Sequence, residues 1–195
     1  MPAQPGKELQ AFLEMLKADE YVILDTETTG LHDAEICQIA VVDSASNTLI
    51  NTLVKPCRPI PASATAIHHI TNEMVIDAPP WTAVTEQLVP ILKGRHVIAY
   101  NAIFDRKMMH KSAEISGLPK TDWKTFSRWW CAMLAFSELY GQASGSRRSH
   151  YRYQSLKTAA RYYEVAVQRE HTALDDCLTT LAVVKAMAAG WNPLS

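Results

Sequence analysis

Along the chain, stretches whose apolar residues recur every three or four positions alternate with short stretches that are apolar almost throughout. Leu9, Phe12, Leu13 and Leu16 keep the 3–4 spacing of an amphipathic helix over 7–18. The run 21–30, YVILDTETTG, is apolar on both faces and ends in acids and a glycine, the pattern of a covered central strand. Two further strands are predicted over 36–42 and 48–54, joined by the turn-rich 43–47. So short a connection favours an antiparallel meander, because a parallel crossover needs about a dozen residues or more. The stretch 56–70 carries three prolines and reads as a long loop, and Thr71 is placed to cap a short helix over 72–75. Residues 82–92 form a helix with Val84, Leu88, Ile91 and Leu92 on one side and Gly94 as its stop. A short strand over 96–100 precedes a helix starting near Asn101, which marks a crossover onto a parallel neighbour. In 123–134 the aromatics favour strand first and helix later, 141–153 reads as a loop, and two helices over 155–164 and 173–189 close the chain. With no internal repeat, the pattern predicts one α/β domain spanning 1–195.

Composition adds bounds rather than detail. Of the 195 residues, 48% are hydrophobic and 20% charged, which excludes a mostly disordered chain. The formal net charge of −1 gives no sign of the basic surface expected of a protein held to nucleic acid by electrostatics. Cys37, Cys57, Cys131 and Cys177 are far apart, so a zinc knuckle or a disulfide framework is not expected. No segment approaches the roughly 20 apolar residues of a membrane span. The expectation is a soluble, cytoplasmic protein with reduced thiols and no membrane partner.

Against this background a few acids are oddly placed. Asp25 and Glu27 are two apart on the first strand, so both side chains leave one face of the sheet. Same-face neighbours lie about 7 Å apart along a strand, close enough to share a cation, and ionised groups at the end of a covered strand are costly without one. Asp105 lies one turn into the helix after the 96–100 strand, near the carboxyl end of that strand, where α/β sites assemble. His171 and Asp176 open the last helix, downstream of which 177–189 carries one charge in thirteen residues. Asp175 and Asp176 head different stripes of that helix, and helical spacing does not choose between them.

In order and spacing, DTETTGL at 25–31, NAIFD at 101–105 and HTALDD at 171–176 resemble the three motifs of the DnaQ-like DEDDh exonuclease superfamily. The resemblance covers about 20–188. It implies a ribonuclease H-like fold with a mixed five-stranded sheet, three strands antiparallel, flanked by helices. It also implies 3′–5′ removal of nucleotides from DNA ends, single-stranded or duplex, releasing 5′-mononucleotides. Its cofactors would be Mg²⁺ or Mn²⁺, two ions per site. By resemblance Asp25, Glu27, Asp105 and Asp176 are the metal ligands, which selects Asp176 over Asp175, and His171 is the general base. Two divalent cations on hard oxygen ligands can stabilise both the attacking and the leaving oxygen of a phosphodiester. Imidazole is suited to take a proton near neutral pH.

The resemblance further implies that backbone amides around Thr28, Gly30 and Leu31 hold the terminal nucleotide, with Leu31 against the last base. His68 either approaches the scissile end or anchors its loop, and Asn101 either contacts substrate or caps its helix. Arg147, Arg148, His150, Tyr151, Arg152 and Tyr153 interleave cations with aromatics, as a single-strand track does. Trp81, Trp123, Trp129 and Trp130 read as packing residues. The alternatives are an exonuclease for RNA ends and a non-catalytic nucleic-acid-binding subunit; the complete set of acids and His171 argues against the second. The near-neutral charge points to an enzyme that grips little more than a strand end.

Overall fold

The computed structural model describes residues 6–18, 20–119, 121–141, 151–167 and 171–190. Helix α1 (Lys7–Lys17) is followed by the meander β1 (Tyr21–Thr28), β2 (Ile36–Asp43) and β3 (Thr48–Leu53). Then come α2 (Ala62–His68), α3 (Trp81–Leu92), β4 (His96–Ala99), α4 (Ala102–Ile115) and α5 (Trp123–Phe126). The chain finishes with β5 (Arg128–Cys131), α6 (Ala132–Tyr140), α7 (Leu156–Tyr162) and α8 (Ala173–Ala189). The sheet order is β3-β2-β1-β4-β5, so the strand with the most continuous apolar run is central. β1, β2 and β3 are antiparallel neighbours, whereas β4 and β5 run parallel to β1.

Strand alternation divides β1 between two cores. Tyr21 and Ile23 join Phe12 and Leu13 of α1, Phe136 of α6 and Cys177, Leu181 and Val184 of α8. Val22 and Leu24 join Trp81, Val84 and Leu88 of α3, Met108 and Met109 of α4, and Trp123. α8 is buried on more than one side, as its sequence predicts, and lies against β1 and β2. The last paired residues of β1 and β4 are Ile23 and Ile98, and β4 ends at Ala99 while β1 runs on through Thr28. Beyond that step β1 extends past its parallel neighbour β4, at the carboxyl ends of both strands, the end of an α/β sheet where sites assemble.

Three expectations need correction. The stretch 56–70 is not all loop: Ala62–His68 is helical, entered from Pro61 and ended by His69 at φ 62°. Proline suits a helix entrance, and this proline-rich stretch conceals an alanine-rich turn behind one. The helix expected over 72–75 is instead a run of turns. Asn72 binds both backbone groups of Ile60 (2.8 and 3.1 Å), folding the segment back over Ile60, Ile70 and Val75. Within 123–134 a single helical turn comes first, because Asp122 caps the Lys124 N–H and Trp123 is fully buried; the strand begins only at Arg128.

All four cysteines are free thiols, and among the described residues no helix is long and apolar enough to cross a membrane. Trp81 and Trp123 are core residues, and Trp129 and Trp130 are half-buried on β5. Arg147, Arg148 and His150 lie outside the described residues. Tyr151 and Arg152 are described, and Tyr153 is exposed.

Candidate active site

The carboxyl end of β1 carries Asp25 and Glu27 on one face, and the first turn of α8 brings Asp176 to them. Oxygens of the three carboxylates lie within 4.8 Å of one another. The start of α8 is fixed in three ways. The Thr172 side chain accepts the Asp175 N–H, the Ala173 N–H donates to Gln38 of β2 (3.1 Å), and the Cys177 thiol points at the carbonyls of Ile23 and Ala40. The two adjacent acids part in space. Asp176 joins the cluster, while Asp175 accepts the Thr172 hydroxyl at 2.7 Å and closes the helix entrance.

Asp105 reaches the cluster from the other side of the sheet. Its helix packs in the core that contains Val22 and Leu24, and its carboxylate accepts the Thr26 hydroxyl at 2.8 Å. It is 3% exposed, and it is the strongest like-charge neighbour of Asp25. Thr26, between the two strand acids, was not singled out in the sequence; its partner is 79 residues away and no local pattern marks it.

The four acids oppose each other's ionisation. Burial, followed by the charges of Asp105, Asp176 and Glu27, raises the Asp25 carboxyl well above the ordinary carboxylate range. Burial and then Asp176 and Asp105 push Glu27 up to about 8. Burial pushes Asp105 to about 7, against the lowering pull of the Thr26 hydrogen bond. A set of hard oxygen donors that repel one another fits a divalent cation, which would restore their charge. Without one, an acid raised by folding binds more protons folded than unfolded between its ordinary and its raised pKa. The contribution of these acids to the stability of chelated protein is therefore fully present below about pH 4, falls as the pH rises, is gone once it has passed about 7 and 8, and returns on adding Mg²⁺. Thermal melts in EDTA from pH 5 to 9 check this; a flat profile would contradict the repulsion.

The segment after β1 is held by a second set of contacts. The Thr28 hydroxyl donates to the Gly30 carbonyl at 2.7 Å, and Thr29 and Glu35 exchange hydrogen bonds across the turn. Leu31, at its tip, is 70% exposed, a conspicuous position for a leucine. Glu35, which sequence reasoning missed, is buried and accepts from the N–H groups of Cys57 and Arg58 (2.7 and 3.1 Å) and from the Arg58 side chain (3.2 Å). Arg58 and Lys111 also pair with Asp33, which adopts φ 47°. Glu35→Ala leaves two N–H groups without their acceptor and should cost about 2 kcal/mol of stability, read from urea unfolding.

His68 is an anchor in this structure. It is buried, its Nδ1 accepts the Ile70 N–H at 3.0 Å, and its Nε2 lies 3.7 Å from the Cys37 sulfur. Burial lowers its pKa, a Thr28 backbone contact raises it, and the nearby His69 and His171 lower it further, so it also borders the site. Asn101 occupies the cap position of α4, but its side chain makes no capping bond. His171 lies before Thr172 rather than on the helix; it is exposed and has a left-handed backbone, φ 66°.

The sequence model of the exonuclease family (RNase T type) matches residues 22–184. An uncharacterized exonuclease, CP81, of Escherichia phage 186 is 40% identical over 176 residues, spanning 88% of this chain and 90% of that protein. Exodeoxyribonuclease 10 of Escherichia coli K12 is 33% identical over 176 residues, 87% of this chain and 70% of its own. Among solved structures, exonuclease X in complex with 5′ overhanging duplex DNA superposes with a TM-score of 0.63 at 30% identity, covering 88% of this chain and 94% of that one. The mixed five-stranded sheet with flanking helices is the ribonuclease H-like exonuclease fold of these neighbours. With the family model over most of its length and relatives at this identity, the chain belongs to the exonuclease family, as a DnaQ-like 3′–5′ exonuclease of the DEDDh type, whose members act on nucleic acids with divalent metal ions.

Proposed function

We propose that this exonuclease removes nucleotides one at a time from DNA 3′ ends, releasing 5′-mononucleotides. The observation that carries the reading is the meeting of Asp25, Glu27 and Asp176 within 4.8 Å at the end of β1, beside a turn that presents Leu31 to solvent. The choice of DNA is supported by the exodeoxyribonuclease and the DNA complex among its relatives. Asp25, Glu27 and Asp176, with Asp105 behind them, would hold two Mg²⁺ or Mn²⁺ ions. Bound there, such ions supply Lewis-acid neutralisation of the phosphate and make water a better nucleophile near neutral pH.

The chain's own residues do the rest. Backbone groups of Thr28, Gly30 and Leu31 receive the terminal nucleotide, and the Leu31 side chain lies against its base. His171, exposed just before the cap of α8, takes the proton of the attacking water as general base. Asn101, at the start of α4, contacts the substrate, and His68 holds the Thr28 backbone from behind.

A time course on 5′-labelled and 3′-labelled oligonucleotides tests the reading, with Mg²⁺ or chelator and with single-stranded DNA, duplex DNA and RNA in parallel. A ladder shortening from the 3′ end, faster on DNA and absent in chelator, is expected. A preference for RNA would overturn the DNA assignment, and full activity in chelator would overturn the metal assignment.

A further inference from the structure

We infer that Gln38 of β2 is a positioning residue for the reaction, acting through the first turn of α8 to set where Asp176 and His171 stand against the strand acids. The inference rests on the reading of Asp176 as a cation ligand and His171 as the base. Gln38 is the direct cross-strand partner of Glu27, on the face of the sheet that carries Asp25 and Glu27. Directly opposed residues of an antiparallel pair stand about 5 Å apart at Cβ, so an uncharged side chain adjoins the acid cluster here. The Glu27–Gln38 pair is also the last regular one before the register shift at Glu27 and Thr28, where Cys37 is the extra residue of β2. Bulges of this kind lie beside sites because they re-aim the side chains that flank them.

The helix supplies the other half of the contact. The first N–H groups of a helix have no acceptor within it. At α8 the Asp175 N–H is met by the Thr172 hydroxyl (3.2 Å) and the Ala173 N–H by the Gln38 side-chain oxygen (3.1 Å). The first bond stays within the helix, whereas the second ties its entrance to a strand 135 residues away. A backbone N–H can be met only by the oxygen of a side-chain amide, so this bond also fixes which way the Gln38 amide faces. The Cys177 thiol adds longer contacts to the Ile23 and Ala40 carbonyls (3.7 and 3.4 Å), but a thiol is a weak donor and sits four residues further into the helix. Ala173 lies three residues before Asp176 and two after His171, whose φ of 66° leads the chain into the Thr172 cap. One side chain on the sheet therefore bears on both the acid that joins the cluster and the residue read as base.

The test compares Gln38→Leu, Gln38→Asn and Gln38→Glu with the unaltered protein. Leucine lacks the acceptor, asparagine keeps it on a shorter stem, and glutamate keeps both acceptor and length. One readout is the MgCl₂ concentration that gives half of the thermal stabilisation without substrate; the other is kcat and KM on single-stranded DNA. The leucine and asparagine variants should each need about tenfold more Mg²⁺ and lose about tenfold in kcat, the scale on which groups that orient metal ligands act. Their KM should stay within about twofold, since the turn from Thr28 to Leu31 is untouched and the loss falls on the chemical step. Gln38→Glu should keep kcat within about threefold at saturating Mg²⁺, because the acceptor still reaches the Ala173 N–H. A side chain that merely fills space would instead rank leucine with glutamine, and an amide that donates to substrate would fail as glutamate. Gln38→Leu matching the unaltered protein in both readouts, or Gln38→Glu failing beside it, would overturn the role. Mg²⁺ midpoints in the expected order from a protein that digests no DNA would refute the proposed function and leave the role of Gln38 standing.

Discussion

Asp25→Asn should lower kcat by about a thousandfold or more while the protein remains folded. Several kcal/mol of transition-state charge stabilisation depend on the cation site, and each 1.36 kcal/mol is about tenfold in rate. Asp25 is the residue whose removal is felt most, because it sits on the central strand between Glu27, Asp176 and Asp105 and feels all three charges. The same substitution relieves buried repulsion at nearly constant volume. Chelated Asp25→Asn protein is therefore expected to melt above the unaltered protein at pH 8, where the neighbouring acids would otherwise be losing their protons. Loss of activity and gain of metal-free stability in one variant separate a functional acid from a structural one. Retained turnover would remove Asp25 from the metal site.

His171→Ala should lower kcat by about 10²–10⁴-fold, the usual contribution of a general base, and leave the stabilisation by Mg²⁺ in place. The backbone supplies a second handle. His171 adopts φ 66°, a conformation that favours glycine, so His171→Gly should lose as much rate as the alanine variant yet be more stable than it by about 1 kcal/mol. Equal turnover in the unaltered and alanine proteins would end the assignment of His171 as base.

Much of this architecture is legible before folding, and particular residues show why. The apolar run at 21–24 places β1 at the centre, and the two-residue spacing of Asp25 and Glu27 puts them on one face, because both facts are local. The choice of Asp176 over Asp175 needed the family motif, since it depends on where Gln38 and Cys177 dock the helix. Glu35 and Thr26 were not legible. Each acts through a partner 22 or 79 residues away, and nothing nearby in sequence marks a buried carboxylate or a second hydroxyl. The helix at Ala62–His68 was hidden by proline density, which signals a helix entrance as readily as a loop. His69, at φ 62°, fills a helix-ending position that usually belongs to glycine, a departure only the backbone explains.

The sheet is a partition, yet its acids come from both rooms. Asp176 is delivered by the helix over the Ile23 side, and Asp105 by the helix over the Leu24 side. The cluster is thus a place where errors in either interior are read out together. A shift of a few tenths of an ångström in the packing of Val183 or of Met109 changes the spacing of carboxylates that have no backbone link to each other. Catalytic rate in this fold should therefore act as a gauge of both cores, falling under mild core substitutions well before the chain melts.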